Sequence, residues 1–140
     1  MTNRRVVITG LSILSPLGNT VEGSWKNILA GMNPVRKINY FDTKNYDTKF
    51  AASLFDFNAA DYLEPKEIRR LDKFIQYGVV ASKECIIDSG IDDSRINTER
   101  IGVAIGSGIG GLTTIEKNSN ILTSSGVSKI SPFFVPGSII

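Results

Sequence analysis

The sequence contains no histidine and a single cysteine, Cys85. Without histidine, these residues supply no Ser-His-Asp or Cys-His pair and no imidazole ligand for a metal. One cysteine excludes an internal disulfide, which agrees with a reducing, cytoplasmic location as the default. Cys85 sits in Ala81-Ser82-Lys83-Glu84-Cys85-Ile86-Ile87, a helix-like segment with apolar neighbours. There it reads as a buried structural residue, with no base or electropositive setting to make it a thiolate. No apolar run approaches the roughly 18 residues a membrane span needs. Val6-Val7-Ile8 is too short for the apolar region of a signal peptide. A net charge of +2 is too small to argue for nucleic acid or a membrane surface as partner. Negative charge also runs out early: Glu116 is the last acidic residue, and Ile130 to Ile140 carries no charge.

What is present suits one globular domain with a modest core: 140 residues, 41% hydrophobic and 21% charged. The organising stretch is Ile101-Gly102-Val103-Ala104-Ile105-Gly106-Ser107-Gly108-Ile109-Gly110-Gly111. Its apolar start predicts a buried strand, and its glycine cluster predicts a turn where backbone can approach another group closely. Gly106, Gly108 and Gly111 satisfy G-x-G-x-x-G, the dinucleotide-binding spacing. That motif also requires an acid about 20 residues on to hold the ribose. Glu116, five residues past Gly111, is too near and is followed by no other acid, so a small dinucleotide-binding domain is disfavoured.

In chain order, Val6-Val7-Ile8-Thr9-Gly10-Leu11 predicts a strand buried on both faces. Asn19 with Glu22 predicts a capped helix over Val21–Ala30, with Trp25 as a core anchor beside Ile28 and Leu29 and Gly31 as its stop. Asn33 to Thr48 reads as a surface loop and Lys49 to Leu54 as a short strand, with Phe55, Phe57 and Tyr62 in a satellite cluster. Pro65 suits the first turn of a helix, and Glu64 is favourable at its N-terminus. On that helix Lys66, Arg69 and Arg70 fall at i, i+3 and i+4 and share one face, which Lys73 extends. Asp72 is placed to cap a second helix from Lys73 to Ser89, with Phe74, Ile75, Val79, Ala81, Cys85 and Ile86 inward and Gly90 ending it. Ile91 to Arg100 reads as a charged turn. A helix from about Gly110 to Leu122 follows, broken at Ser124-Ser125-Gly126. Alternating strands and helices predict an α/β architecture.

Five stretches, in order, resemble the β-ketoacyl-[acyl-carrier-protein] synthases, and most of all the type II elongating enzymes. They are Arg4-Arg5-Val6-Val7-Ile8-Thr9-Gly10-Leu11, Ser15-Pro16-Leu17-Gly18-Asn19-Thr20, Phe74-Ile75-Gln76-Tyr77-Gly78, Ile105-Gly106-Ser107-Gly108-Ile109-Gly110-Gly111 and Lys129-Ile130-Ser131-Pro132-Phe133-Phe134-Val135-Pro136. The resemblance implies the N-terminal part of the thiolase-like αβαβα layered fold. It implies that residues 1–140 are an incomplete N-terminal portion of a longer chain, because the family's nucleophilic cysteine and catalytic histidines match positions beyond Ile140. Cys85 matches none of them, so these residues alone are expected to be inactive.

The chemistry implied is a decarboxylative Claisen condensation that elongates an acyl-[acyl-carrier-protein] with malonyl-[acyl-carrier-protein] in fatty acid synthesis. It needs no metal or redox cofactor. The implied partners are acyl carrier protein and a second copy in a homodimer. Lys66, Arg69 and Arg70 match a basic patch that docks the acidic carrier. Ile109 matches a side chain at the mouth of the acyl pocket, and Phe134 one that reaches the partner subunit's pocket. Read without the resemblance, the first three are a solvated face and the last two are core packing. A non-catalytic ketosynthase-like partner in a heterodimer is the alternative, because such proteins share this part of the chain.

Overall fold

The computed structural model describes residues 4–91 and 96–139. The first helix, α1 (Val21–Leu29), is started by Thr20, whose backbone is extended and whose hydroxyl accepts from the Gly23 N–H at 3.1 Å. The cap therefore falls one residue later than the pattern at Asn19 predicts. Asn19 instead donates its side-chain amide to the Asp56 carbonyl at 3.3 Å, tying the helix entry to a later loop. The buried residue of α1 is Ser24, which donates to the Gly18 carbonyl at 3.0 Å. Trp25, expected as a core anchor, is 59% exposed, and Ile28 and Leu29 are exposed with it. This stripe is not part of the buried core among the described residues.

Two short strands follow, β1 (Arg36–Lys37) and β2 (Phe50–Ala51), paired antiparallel with Arg36 opposite Ala51 and Lys37 opposite Phe50. The expected loop from Asn33 to Thr48 thus contributes a strand, and Lys49 to Leu54 supplies its partner. Helix α2 (Pro65–Arg70) carries proline in its first turn, and the Glu67 carboxylate accepts from the Glu64 N–H at 3.1 Å. Helix α3 (Lys73–Ser89) begins after Asp72 and ends at Gly90, whose φ of 64° is left-handed. Gln76 lies buried between the two helices. Its amide donates to the Leu71 carbonyl at 2.8 Å and the Ile68 carbonyl at 3.2 Å, satisfying carbonyls that the end of α2 leaves open. The buried apolar residues are Ile38, Leu63 and Val80. Cys85 is half-buried on α3.

The two apolar runs expected as buried strands are not buried. Val6 is 94% exposed and Val103 82%, and neither run pairs with a strand among the described residues. A strand owes its stability to its ladder and to the faces packed on it, and both runs lack these here. The first run is nevertheless fixed at one end. The Leu11 N–H donates to the Asp88 carboxylate at 2.8 Å, and a Cβ on Gly10 would lie 2.6 Å from the Cys85 carbonyl oxygen. Gly10 thus lets the chain lie directly on the last turns of α3.

Residues 92–95 of the predicted charged turn, and Ile140 of the uncharged tail, lie outside the described residues. Beyond that turn, the Asn97 side chain caps a single 3-10 turn at Thr98–Arg100. Helix α4 (Leu112–Ser125) starts two residues after the predicted Gly110 and stops at Gly126. A 3-10 turn at Val127–Lys129 leads to the short helix α5 (Phe134–Ser138), and both pack on α4.

Candidate functional site

The end of α2, the start of α4 and helix α5 meet at one corner, because two glycines allow their backbones to touch. A Cβ on Gly137 would lie 2.6 Å from the Arg70 carbonyl oxygen. One on Gly111 would lie 3.0 Å from both Ser138 Cα and the Asp72 carboxylate. The contact is closed by hydrogen bonds from the Gly111 N–H to the Ser138 carbonyl at 2.9 Å and from the Asp72 N–H to the Gly137 carbonyl at 3.3 Å. Asp72 adds a third link, its carboxylate accepting from the Thr114 N–H in the first turn of α4 at 2.9 Å. Burial foremost, then the nearby Asp72 carboxylate and Tyr40, raise the Tyr77 phenol above its usual 10.0.

Over this corner opens a cavity of about 220 Å³. Arg69 and Arg70 line it from α2, Lys117 from α4 and Lys129 from the turn that follows, together with Phe133 and Phe134. No carboxylate is among its described lining residues. Converging like charges focus a positive potential that attracts an anionic partner. The Arg70 guanidinium carbon stands 4.3 Å from the centre of the Phe133 ring. On the floor, buried Asn118 donates to the Thr114 carbonyl at 2.8 Å, while its own side-chain oxygen has no partner among the described residues.

Arg69, Arg70 and Phe134, predicted as site residues from sequence, are therefore brought together. Lys66 is exposed on the same helix but outside the cavity lining. Ile109 is 76% exposed and does not line the cavity. Sequence reasoning missed Lys117 and Lys129 as members of the basic cluster. The signal was available, since they are the only charged side chains after Glu116 and both are positive.

The geometry also disposes of a dinucleotide site at the glycine cluster. Such a site needs free N–H groups at the start of the following helix to receive a pyrophosphate. Here the Asp72 carboxylate already occupies that end of α4. Around Gly106 and Gly108 there is nothing within 4 Å of an added Cβ, so neither provides a close packing contact. The corner can hold an anionic surface. No nucleophile–base pair accompanies it among the described residues.

A family model described as "Beta-ketoacyl synthase, N-terminal domain" matches residues 3–139. Among curated relatives, the 3-oxoacyl-[acyl-carrier-protein] synthase 2 of Vibrio harveyi is 48% identical over all 140 residues, and that of Vibrio cholerae serotype O1 is 49% identical over the same length. In each case the match covers 100% of this chain and 34% of the relative, so the chain spans about a third of the length of these relatives. The crystal structure of a β-ketoacyl synthase from Burkholderia phymatum superimposes with a TM-score of 0.76 at 26% identity, covering 97% of this chain and 34% of that one. The fold is accordingly α/β and thiolase-like, as the motifs imply, even though the two long apolar runs form no ladder among the described residues. Since the family match takes in nearly every residue, the chain belongs to the β-ketoacyl synthase N-terminal domain family.

Proposed function

We propose that residues 1–140 are the N-terminal portion of a β-ketoacyl synthase N-terminal domain. The full-length chain would be a condensing enzyme that elongates acyl-[acyl-carrier-protein] with malonyl-[acyl-carrier-protein]. The observation that carries this reading is the 48% identity, across the whole chain, to a 3-oxoacyl-[acyl-carrier-protein] synthase 2. In the first stage, a cysteine thiolate attacks the acyl thioester and expels the carrier's thiol. Malonyl-carrier then loses CO₂, and its carbanion attacks the acyl-cysteine, forming the carbon–carbon bond and releasing the thiolate. None of the groups doing this chemistry lies in this chain. Its own residues would receive the carrier and border the acyl pocket. The enzyme would act as a cytoplasmic homodimer without metal or redox cofactor.

Lys66, Arg69 and Arg70 are the proposed carrier-docking residues, and Lys117 and Lys129 extend the same positive surface. Charge complementarity of this kind raises association rates and is screened by salt. Ile109 is assigned to the mouth of the acyl pocket and Phe134 to the approach to the partner subunit's pocket. Changing Lys66 and Arg69 together to Glu in the full-length chain should weaken carrier binding and reduce its salt dependence while the fold is retained. Unchanged affinity at low salt would retire both as docking residues. The codons that follow Ile140 decide between enzyme and non-catalytic partner. A cysteine in a turn of small residues supports the enzyme, whereas a glutamine there would assign the chain to a heterodimer.

A further inference from the structure

We infer that Phe133 is a positioning residue that holds the Arg70 guanidinium ready for the acidic carrier, an inference that rests on the docking reading above. Arg70 ends α2, a helix of only six residues, and its side chain is long and exposed. A free arginine of this kind loses rotamer freedom whenever it docks, and that loss subtracts from affinity. Arg70 stands over Phe133 at 4.3 Å, within the range of a cation–π contact. A contact through the ring face uses no hydrogen-bond donor, so the guanidinium N–H groups stay available to carboxylates.

The main chain that carries the ring is itself held in place. The Phe133 N–H donates to the Ser131 hydroxyl at 3.2 Å, and Phe133 immediately precedes α5. Helix α5 sits on the main chain of the same arginine, because Gly137 offers no Cβ to the Arg70 carbonyl oxygen. Both ends of Arg70 are thus referenced to one short helix. Phe133 is 41% exposed and keeps one side of its ring contact with Arg70 open to the cavity that both residues line. None of the other three cations lining the cavity shows a ring contact among the described residues.

The test is a double-mutant cycle in the full-length chain, with purified acyl carrier protein as the probe and its dissociation constant as the readout. Phe133→Leu should weaken binding roughly two- to five-fold, the size of an exposed cation–π contact. Phe133→Tyr, which keeps the ring, should restore affinity. In an Arg70→Ala background, Phe133→Leu should have no further effect. Equal losses from Phe133→Leu with and without Arg70 would overturn the inference and leave Phe133 as packing. Phe133→Tyr binding as poorly as Phe133→Leu would overturn it too. Unchanged affinity on Arg70→Ala alone would overturn the docking role of Arg70 and this inference with it.

Discussion

Asp72 should cap a helix that is not its own, and the size of the effect can be worked from the contacts. Helix α4 opens at Gly111, which has no side chain to accept from the first turn. The missing acceptor is supplied from the start of α3, where Asp72 accepts from the Thr114 N–H at 2.9 Å. Thr114 is the third residue of α4, the position that an ordinary N-cap side chain serves. Loss of such a cap costs about 1 kcal/mol, with a range of roughly 0.5–2. A carboxylate at a helix N-terminus contributes a further 0.3–1 kcal/mol or so through the helix dipole. Asp72→Ala removes both, for about 1–3 kcal/mol. Asp72→Asn keeps an acceptor and loses only the charge, for about 0.3–1 kcal/mol.

The assay is backbone hydrogen exchange in the full-length chain, read at the Thr114 amide. At tenfold per 1.4 kcal/mol, Asp72→Ala should lower protection there roughly five- to hundred-fold and Asp72→Asn only about two- to five-fold. The sequence pattern makes the opposite forecast, because Asp72 directly precedes α3 and should cap it. On that account the loss of protection would fall on Phe74 and Ile75, and Thr114 would not change. Observing that distribution, or equal effects from Ala and Asn, would refute the cross-helix cap.

Two other outcomes are expected. Residues 1–140 expressed alone should associate and bind a hydrophobic dye, because Val6, Ile8, Val103 and Ile109 are each at least three-quarters exposed and burying one such side chain is worth about 1.5–3 kcal/mol; a sharp monomeric melting transition without dye binding would contradict this. In the full-length chain, Ile109→Phe should shorten the longest acyl chain that is elongated while sparing short substrates, since overpacking a tunnel costs about 1–3 kcal/mol against about 0.8 for each methylene accepted; equal slowing of short and long substrates would make Ile109 a packing residue.

Helices were legible in the sequence wherever their signals are local. Pro65 at the start of α2, Gly90 at the end of α3 and Gly126 at the end of α4 all act within a turn or two of themselves. The Asn19 cap missed by one residue because Thr20 offers an equivalent oxygen and Asn19 found a partner in the loop at Asp56. The strands were a different matter. Val6 to Leu11 and Ile101 to Ile105 have the composition of buried strands, but composition specifies a surface to be covered and not the element that covers it. The superposition on a solved β-ketoacyl synthase shows the chain path to be the family's while these runs remain uncovered.

The site divides along the same line. Helical spacing alone brings Lys66, Arg69 and Arg70 to one face, so that part could be read directly. Lys117 and Lys129 join them only because α4 and the turn after it fold back against α2, which no local pattern announces. The glycines make the point most sharply. As letters, Gly106, Gly108, Gly110 and Gly111 are one cluster, and their spacing suggests a phosphate cradle. In space the first two have open surroundings, while the last two lie against Ser138, and Gly111 also against Asp72. Their shared purpose is to seat α5, and it depends on residues far along the chain in both directions. Once α5 is seated there, Phe133 and Phe134 are delivered to the rim of the basic cavity. Carrier docking and the approach to the acyl pocket would then be mechanically adjacent, joined through one five-residue helix.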